Sequence, residues 1–197
     1  MTTVCFYFQV HQPYRLRRYS VFSSDPFYFD NEVNKEILLK VADKCYRPTT
    51  TLLLDLIQRH EGRFRFTFSV TGTVLEQLQA WAPDVVDLFK AAADTGCVEF
   101  LAETSHHSLA ALWSPSEFAA QVEAHRTTMQ AVLGVEPTAF RNTELIYSDQ
   151  VAELVQNFGR YKGMLCEGVD RLLGDRSPNY AYKAVGGLPL LLKNYRL

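Results

Sequence analysis

Hydrophobic and polar positions alternate along this chain with two different periods. Val4 to Val10 and Phe64 to Val70 read as strands, followed by Cys97 to Glu103, Thr138 to Glu144, Tyr161 to Glu167 and a late run from Leu188 to Leu192. Between them the spacing turns helical: one or two helices within Asn31 to His60, then Val74 to Trp81, Pro83 to Asp94, Pro115 to Leu133 and Gln150 to Phe158. Strand and helix thus alternate, the order of an α/β protein with parallel strands.

Helix boundaries remove several ionisable residues from consideration. Ser114-Pro115-Ser116-Glu117 fits a capping box with proline at the first helical position, and Thr73-Val74-Leu75-Glu76 fits the same S/T-x-x-E pattern. Glu117 and Glu76 are therefore expected to cap helices. His125 shares a stripe with Phe118, Val122, Met129 and Val132 ahead of Gly134, so it is expected to pack or hydrogen-bond. His60, at a helix end, is expected to face the negative end of that helix.

Strand parity decides the type of sheet. In the first strand Val4, Phe6, Phe8 and Val10 share one face, and Cys5, Tyr7, Gln9 and His11 the other; in the second, Phe64, Phe66, Phe68 and Val70 oppose Arg65, Thr67, Ser69 and Thr71. A doubly wound sheet is apolar on both faces because helices cover both. One oily and one polar face predicts a β/α barrel with a partly polar interior, whose chemistry sits at the carboxyl ends of the strands.

Composition narrows the partners. With 197 residues, 47% hydrophobic and 13% aromatic, the chain is large enough for one well-buried domain. Twenty basic against 22 acidic residues, with no basic run, give no pull toward nucleic acid or an anionic membrane. Cys5, Cys45, Cys97 and Cys166 are far apart, three of them in strand-like runs that suit a buried thiol, so neither a disulfide framework nor a zinc site is expected. The apolar N-terminal run is short and β-like, no stretch approaches transmembrane length, and the expected compartment is the cytoplasm.

Polar clusters fall where strands end. His11-Gln12-Pro13 follows the first strand, Glu103-Thr104-Ser105-His106-His107-Ser108-Leu109 the third, and Phe140-Arg141-Asn142-Thr143-Glu144-Leu145-Ile146-Tyr147 the fourth. A lone Glu144 would be read as a partner of Arg141 or a helix cap, but Arg, Asn, Glu and Tyr together within one such run point to a site. Adjacent His106 and His107 without H-x-x-x-H spacing are not expected to form a metal pair.

These three runs, with Tyr14, resemble the first three signature regions of glycoside hydrolase family 57, most closely its α-amylase-like branch, in order and spacing across essentially the whole chain. The F-R-N-T-E-L-I-Y string is the specific part. The resemblance implies an incomplete seven-stranded β/α barrel of the glycoside hydrolase/deacetylase type. It also implies action on α-glucans such as starch, glycogen or maltooligosaccharides with retention of configuration, and no metal or organic cofactor. On that carry-over Glu144 matches the nucleophile, while His11, Glu103 and His106 match positions lining the adjacent sugar subsite.

The chemistry of the residues agrees with the carry-over. A retaining glycosidase needs one carboxylate to attack the anomeric carbon and a second carboxyl group about 5 to 5.5 Å away to protonate the leaving oxygen. Glu144 fits the first role, with Arg141 and Asn142 expected to supply charge and hydrogen bonds to it, and His11, Gln12 and His106 donors to sugar hydroxyls. Trp113, Tyr14 and Tyr147 offer rings for stacking, although a tryptophan just before a helix cap also suits core packing. The family's fourth signature region, an F-x-D-Y-E-like strand end carrying the acid/base aspartate, has no counterpart before Leu197. The expectation is therefore the N-terminal part of a longer catalytic barrel, residues 1–197 forming a single domain, with an open strand edge prone to self-association. Glu103 and Glu167 are the substitute acids. A non-catalytic glucan-binding protein and a metal-dependent polysaccharide deacetylase, which needs an Asp/His metal triad, are the alternatives.

Overall fold

The computed structural model describes residues 3–195. Parallel strands β1 (Tyr7–Val10), β2 (Phe66–Val70) and β3 (Val98–Leu101) form one sheet in that order. A second sheet holds β4 (Ala139–Arg141), β5 (Gly163–Cys166), β6 (Ala181–Lys183) and β7 (Pro189–Leu192) in the order β4-β5-β7-β6. In this sheet, among the described residues, β6 alone runs antiparallel, against β7. The sheets meet where Ala102 bridges Phe140 in parallel, through Ala102 N–H to Ala139 O and Arg141 N–H to Ala102 O, both 2.8 Å. The strands do not close into a barrel among the described residues, as an incomplete barrel requires.

Helices α1 (Asn31–Val41), α2 (Arg47–Arg59), α3 (Gly72–Trp81), α4 (Pro83–Asp94), α5 (Pro115–Leu133), α6 (Asp149–Asn157) and the short α7 (Asp170–Leu173) join the strands. Between α1 and α2 the chain makes one wide π turn over Ala42–Tyr46, so the two helices run on almost without a break. Pro48 supplies the reason: it has no N–H to continue the ladder, and its ring pushes away the carbonyl one turn back. Among the described residues no helix is long and apolar enough to cross a membrane.

The parity read from the sequence is the one observed. Phe8, Phe68 and Phe100 lie in register across β1, β2 and β3, and together with Phe66 they face the helices. Ring centroids there are 5.1–6.0 Å apart, with Phe66 and Phe68 edge to face. A second apolar cluster, around Phe118, Phe140, Val155 and Met164, seals α5 and α6 onto β4 and β5. On the opposite face Gln9, Ser69 and Glu103 project together, with Ser69 and Glu103 fully buried.

Three expectations change. Helix α3 begins two residues earlier than the Thr73 box implies: Thr71, still extended at ψ 152°, accepts the Val74 N–H at 3.3 Å, and Glu76 instead takes the Tyr14 hydroxyl at 3.4 Å. Cys5 is exposed, because β1 starts only at Tyr7, whereas burial pushes the Cys166 thiol up to about 12. The β6–β7 hairpin was not anticipated. Its turn depends on Gly186 and Gly187, both near φ 100°, a region other residues avoid. The Ser114 cap and the buried His125, whose Nε2 bonds Val70 O at 2.8 Å, are as expected.

Candidate active site

Four strand ends converge. β1 leads into His11 and Gln12, β2 ends at Thr71, β3 continues into Glu103 and His107, and β4 into Arg141, Asn142 and Glu144. At the centre one imidazole spans two carboxylates: His107 Nδ1 lies 3.5 Å from Glu103 Oε2, and His107 Nε2 lies 3.1 Å from Glu144 Oε1. Glu103 is wholly buried, whereas the Glu144 side chain is 70% exposed. The arrangement runs from a sealed carboxylate to an open one.

The sealed end is built on charge. Glu103 accepts from the Ser69 hydroxyl at 2.6 Å and pairs with Arg141 Nη1 at 3.7 Å. Arg141 is itself 2% exposed; Nη2 donates to Gln9 Oε1 at 3.0 Å, and the guanidinium lies over the Tyr7 ring. Burial pushes the Glu103 carboxyl up, but the His107 hydrogen bond, His125, Ser69 and Arg141 outweigh it and hold it below the usual carboxylate range.

His107 and His11 stack with centroids 4.5 Å apart and divide the protonation between them. The Glu103 hydrogen bond, with Glu144 behind it, outweighs burial and raises His107 above the ordinary histidine value. Burial and the neighbouring His107 charge lower His11 to about 4. The two shifts run in opposite directions, so a positive charge on the stacked pair is favoured on His107, where both nitrogens can then donate to carboxylates. Neutral His11 meets the Thr71 hydroxyl through Nδ1 at 2.9 Å.

The loops that present these groups are strained and braced. Glu144 and Leu145 hold left-handed φ values of 52° and 57°, and His107 holds 55°. For residues with a Cβ such backbone costs about 1–3 kcal/mol each and persists only where the surroundings enforce it. Here Leu145 N–H bonds Asn142 O, Asn142 Nδ2 bonds Ile146 O, Thr143 meets Thr104 at 3.1 Å, and the buried Leu145 side chain pins the turn. The β3 loop is fixed by Thr73 on Ser105 O. It lies so close to α3 that a Cβ on Gly72 would stand 2.3 Å from Ser105 Oγ.

The family model described as "Glycosyl hydrolase family 57" matches residues 5–197. The chain belongs to glycosyl hydrolase family 57. A Methanocaldococcus jannaschii protein named "Putative alpha-amylase" is 41% identical over 198 residues, covering 98% of this chain and 42% of its own length. The solved 4-alpha-glucanotransferase from Thermococcus litoralis superposes with a TM-score of 0.74 at 14% identity, over 98% of this chain and 27% of its own. For the alpha-amylase AmyC from Thermotoga maritima the TM-score is 0.70 at 12% identity, over 98% of this chain and 45% of its own. These two likenesses concern the fold. This family 57 chain spans less than half the length of each of these three proteins.

Among the residues singled out in this family 57 chain, His11, Glu103, Arg141 and Glu144 are joined in one network with His107. His106 is exposed on the same loop, outside that network. Gln12 lies beside it in a wall position: its carbonyl accepts from buried Gln77 at 2.8 Å and its Oε1 from Arg15 at 3.1 Å. Arg141 and Asn142 do not contact Glu144 as expected. The turn after Arg141 aims their side chains at Glu103 and at Ile146 O, leaving the contact to His107. Tyr147 bonds Asp149 at 2.9 Å and packs on the second core, with burial and Asp149 pushing its hydroxyl up to about 12. His107, Gln9, Ser69 and Thr71 went unselected in the sequence. Parity had put the last three on the polar face, but no periodicity reaches His107 in its loop.

Proposed function

We propose that this site is the nucleophile half of a retaining glycosidase acting on α-glucans in the cytoplasm, with Glu144 attacking the anomeric carbon. The supporting observation is the exposed Glu144 carboxylate, held at a strand end on left-handed backbone and tied to the buried anchor through His107. In the first step Glu144 Oε bonds to the anomeric carbon while the glycosidic C–O bond breaks and its oxygen takes a proton from an acid. In the second, water displaces Glu144, gives its proton to the same group, and the configuration is retained. A fixed imidazole beside Glu144 orients the carboxylate for attack.

Glu103 does not suit the acid role, because it is buried, paired and held in its ionised form. The proton donor therefore comes from outside the Glu103–His107–Glu144 cluster. The deacetylase alternative has less support, since among the described residues no group of three or more His, Cys, Asp or Glu side chains is placed to hold a metal ion. The test is trapping with a fluorinated α-glucosyl fluoride, whose fluoride leaves without protonation and so needs no acid. Peptide mapping should find the sugar on Glu144, and a label on any other residue overturns the assignment.

A further inference from the structure

A groove of about 400 Å³ lies between the segment that follows the His107 loop and the helix that follows the Glu144 loop. Leu112 and Trp113 form one wall and Gln150, Glu153, Leu154 and Asn157 the other. Trp113 is 76% exposed, so the core-packing role is excluded. The four α6 residues recur at three- and four-residue spacing on one helix face. Among the described residues the Gln150, Glu153 and Asn157 side chains enter none of the hydrogen bonds or ion pairs.

The size and chemistry of the groove select its occupant. Small-molecule sites occupy about 300–1,000 Å³, whereas a stable protein partner needs roughly 1,000 Å² of interface, more than one indole and two leucines offer. An exposed indole face beside two free carboxamides and one carboxylate suits a neutral ring with an apolar face and a rim of hydroxyls. Its position suits the same ligand. Trp113 and Gln150 each follow their site residue, His107 and Glu144, by six positions, so each lies within about 20 Å of it.

We propose that this groove is an outer saccharide subsite, with Trp113 stacking on a glucosyl ring and Gln150 and Asn157 bonding its hydroxyls while the same glucan reaches Glu144. The proposal rests on the α-glucan reading above. Trp81 and Trp113 are the two tryptophans. Trp81→Phe leaves one indole to report, and Glu144→Gln in the same full chain prevents turnover. Titration with maltoheptaose should then shield Trp113 from acrylamide at least twofold. Trp113→Ala, and separately Gln150→Ala with Asn157→Ala, should weaken calorimetric binding about five- to tenfold with an unchanged circular dichroism spectrum.

Maltoheptaose binding that leaves acrylamide quenching and the Trp113→Ala affinity unchanged would overturn the groove and leave the α-glucan reading standing. The same holds if Glu144 is labelled by the fluoro-sugar while maltoheptaose does not bind. Neither labelling nor binding would overturn both. Concentration-dependent self-association that Trp113→Ala abolishes, without glucan protection, would assign the groove to a second copy of the chain and overturn the proposal.

Discussion

His107 Nε2 stands 3.1 Å from Glu144 Oε1, and both residues make that contact from left-handed backbone, at φ 55° and 52°. Two strained non-glycine residues meeting at one ion pair mark where local stability yields to the placement of a side chain. The strain belongs to the site, since the turn would relax with glycine at position 144.

Glu144→Gly should raise unfolding free energy by about 1 kcal/mol, as relief of left-handed strain exceeds the added freedom of glycine in the unfolded chain. Labelling by the fluoro-sugar should vanish in the same protein. Urea unfolding checks the first effect, and a midpoint equal to or below that of the parent would show that the turn is not strained.

The stacked imidazoles should titrate apart. His107, raised chiefly by Glu103, contributes stability that is complete below about pH 6.5 and is lost as pH rises through its higher folded value. His11 has the opposite sign: the unfolded chain takes up its proton first, so acidification from about 6.5 toward the folded value of about 4 removes stability. Ring NMR shifts should place the His11 midpoint near 4 and move it upward in His107→Gln. A His11 midpoint indifferent to that substitution would refute the coupling.

Glu103→Gln keeps the shape of the anchor and removes its charge, leaving buried Arg141 uncompensated. The expected loss is about 3–5 kcal/mol. Arg141→Met on top of it should recover much of that loss, and a double-mutant cycle in urea shows whether the two effects couple or simply add.

Gly72→Ala should destabilise by about 1–3 kcal/mol despite alanine's better helix propensity, because the new methyl meets Ser105 Oγ at 2.3 Å. Ser105→Gly in that background should return part of the loss. Thermal unfolding of the two variants decides it, and a Gly72→Ala protein as stable as the parent would mean that the β3 loop can move away.

Much of this was readable from residue order. Phe64-Arg65-Phe66-Thr67-Phe68 announced an oily and a polar face, and the helices facing Phe66 and Phe68 are where that alternation put them. Glu144 stood out because its neighbours are polar where a strand should end. What escaped the sequence depends on backbone conformation outside regular periods. A left-handed His107 brings its ring, in place of that of His106, to Glu144, and no spacing rule encodes such a residue. The Thr71 cap lies two residues before the expected one because Thr73, with Glu76 three positions on, fits the capping box, whereas Thr71 is followed by Val74 and caps without a returning carboxylate. Trp113 was ambiguous for a related reason, since a residue preceding a helix cap can point inward or out.

The joint between the two sheets consists of two main-chain hydrogen bonds at Ala102, supplemented by polar side-chain contacts such as Thr104 with Thr143. His107 is carried by one sheet and Glu144 by the other, so their ion pair is also a strut across that seam. A sugar held by both would act as a second strut, and the protein would stiffen where it binds.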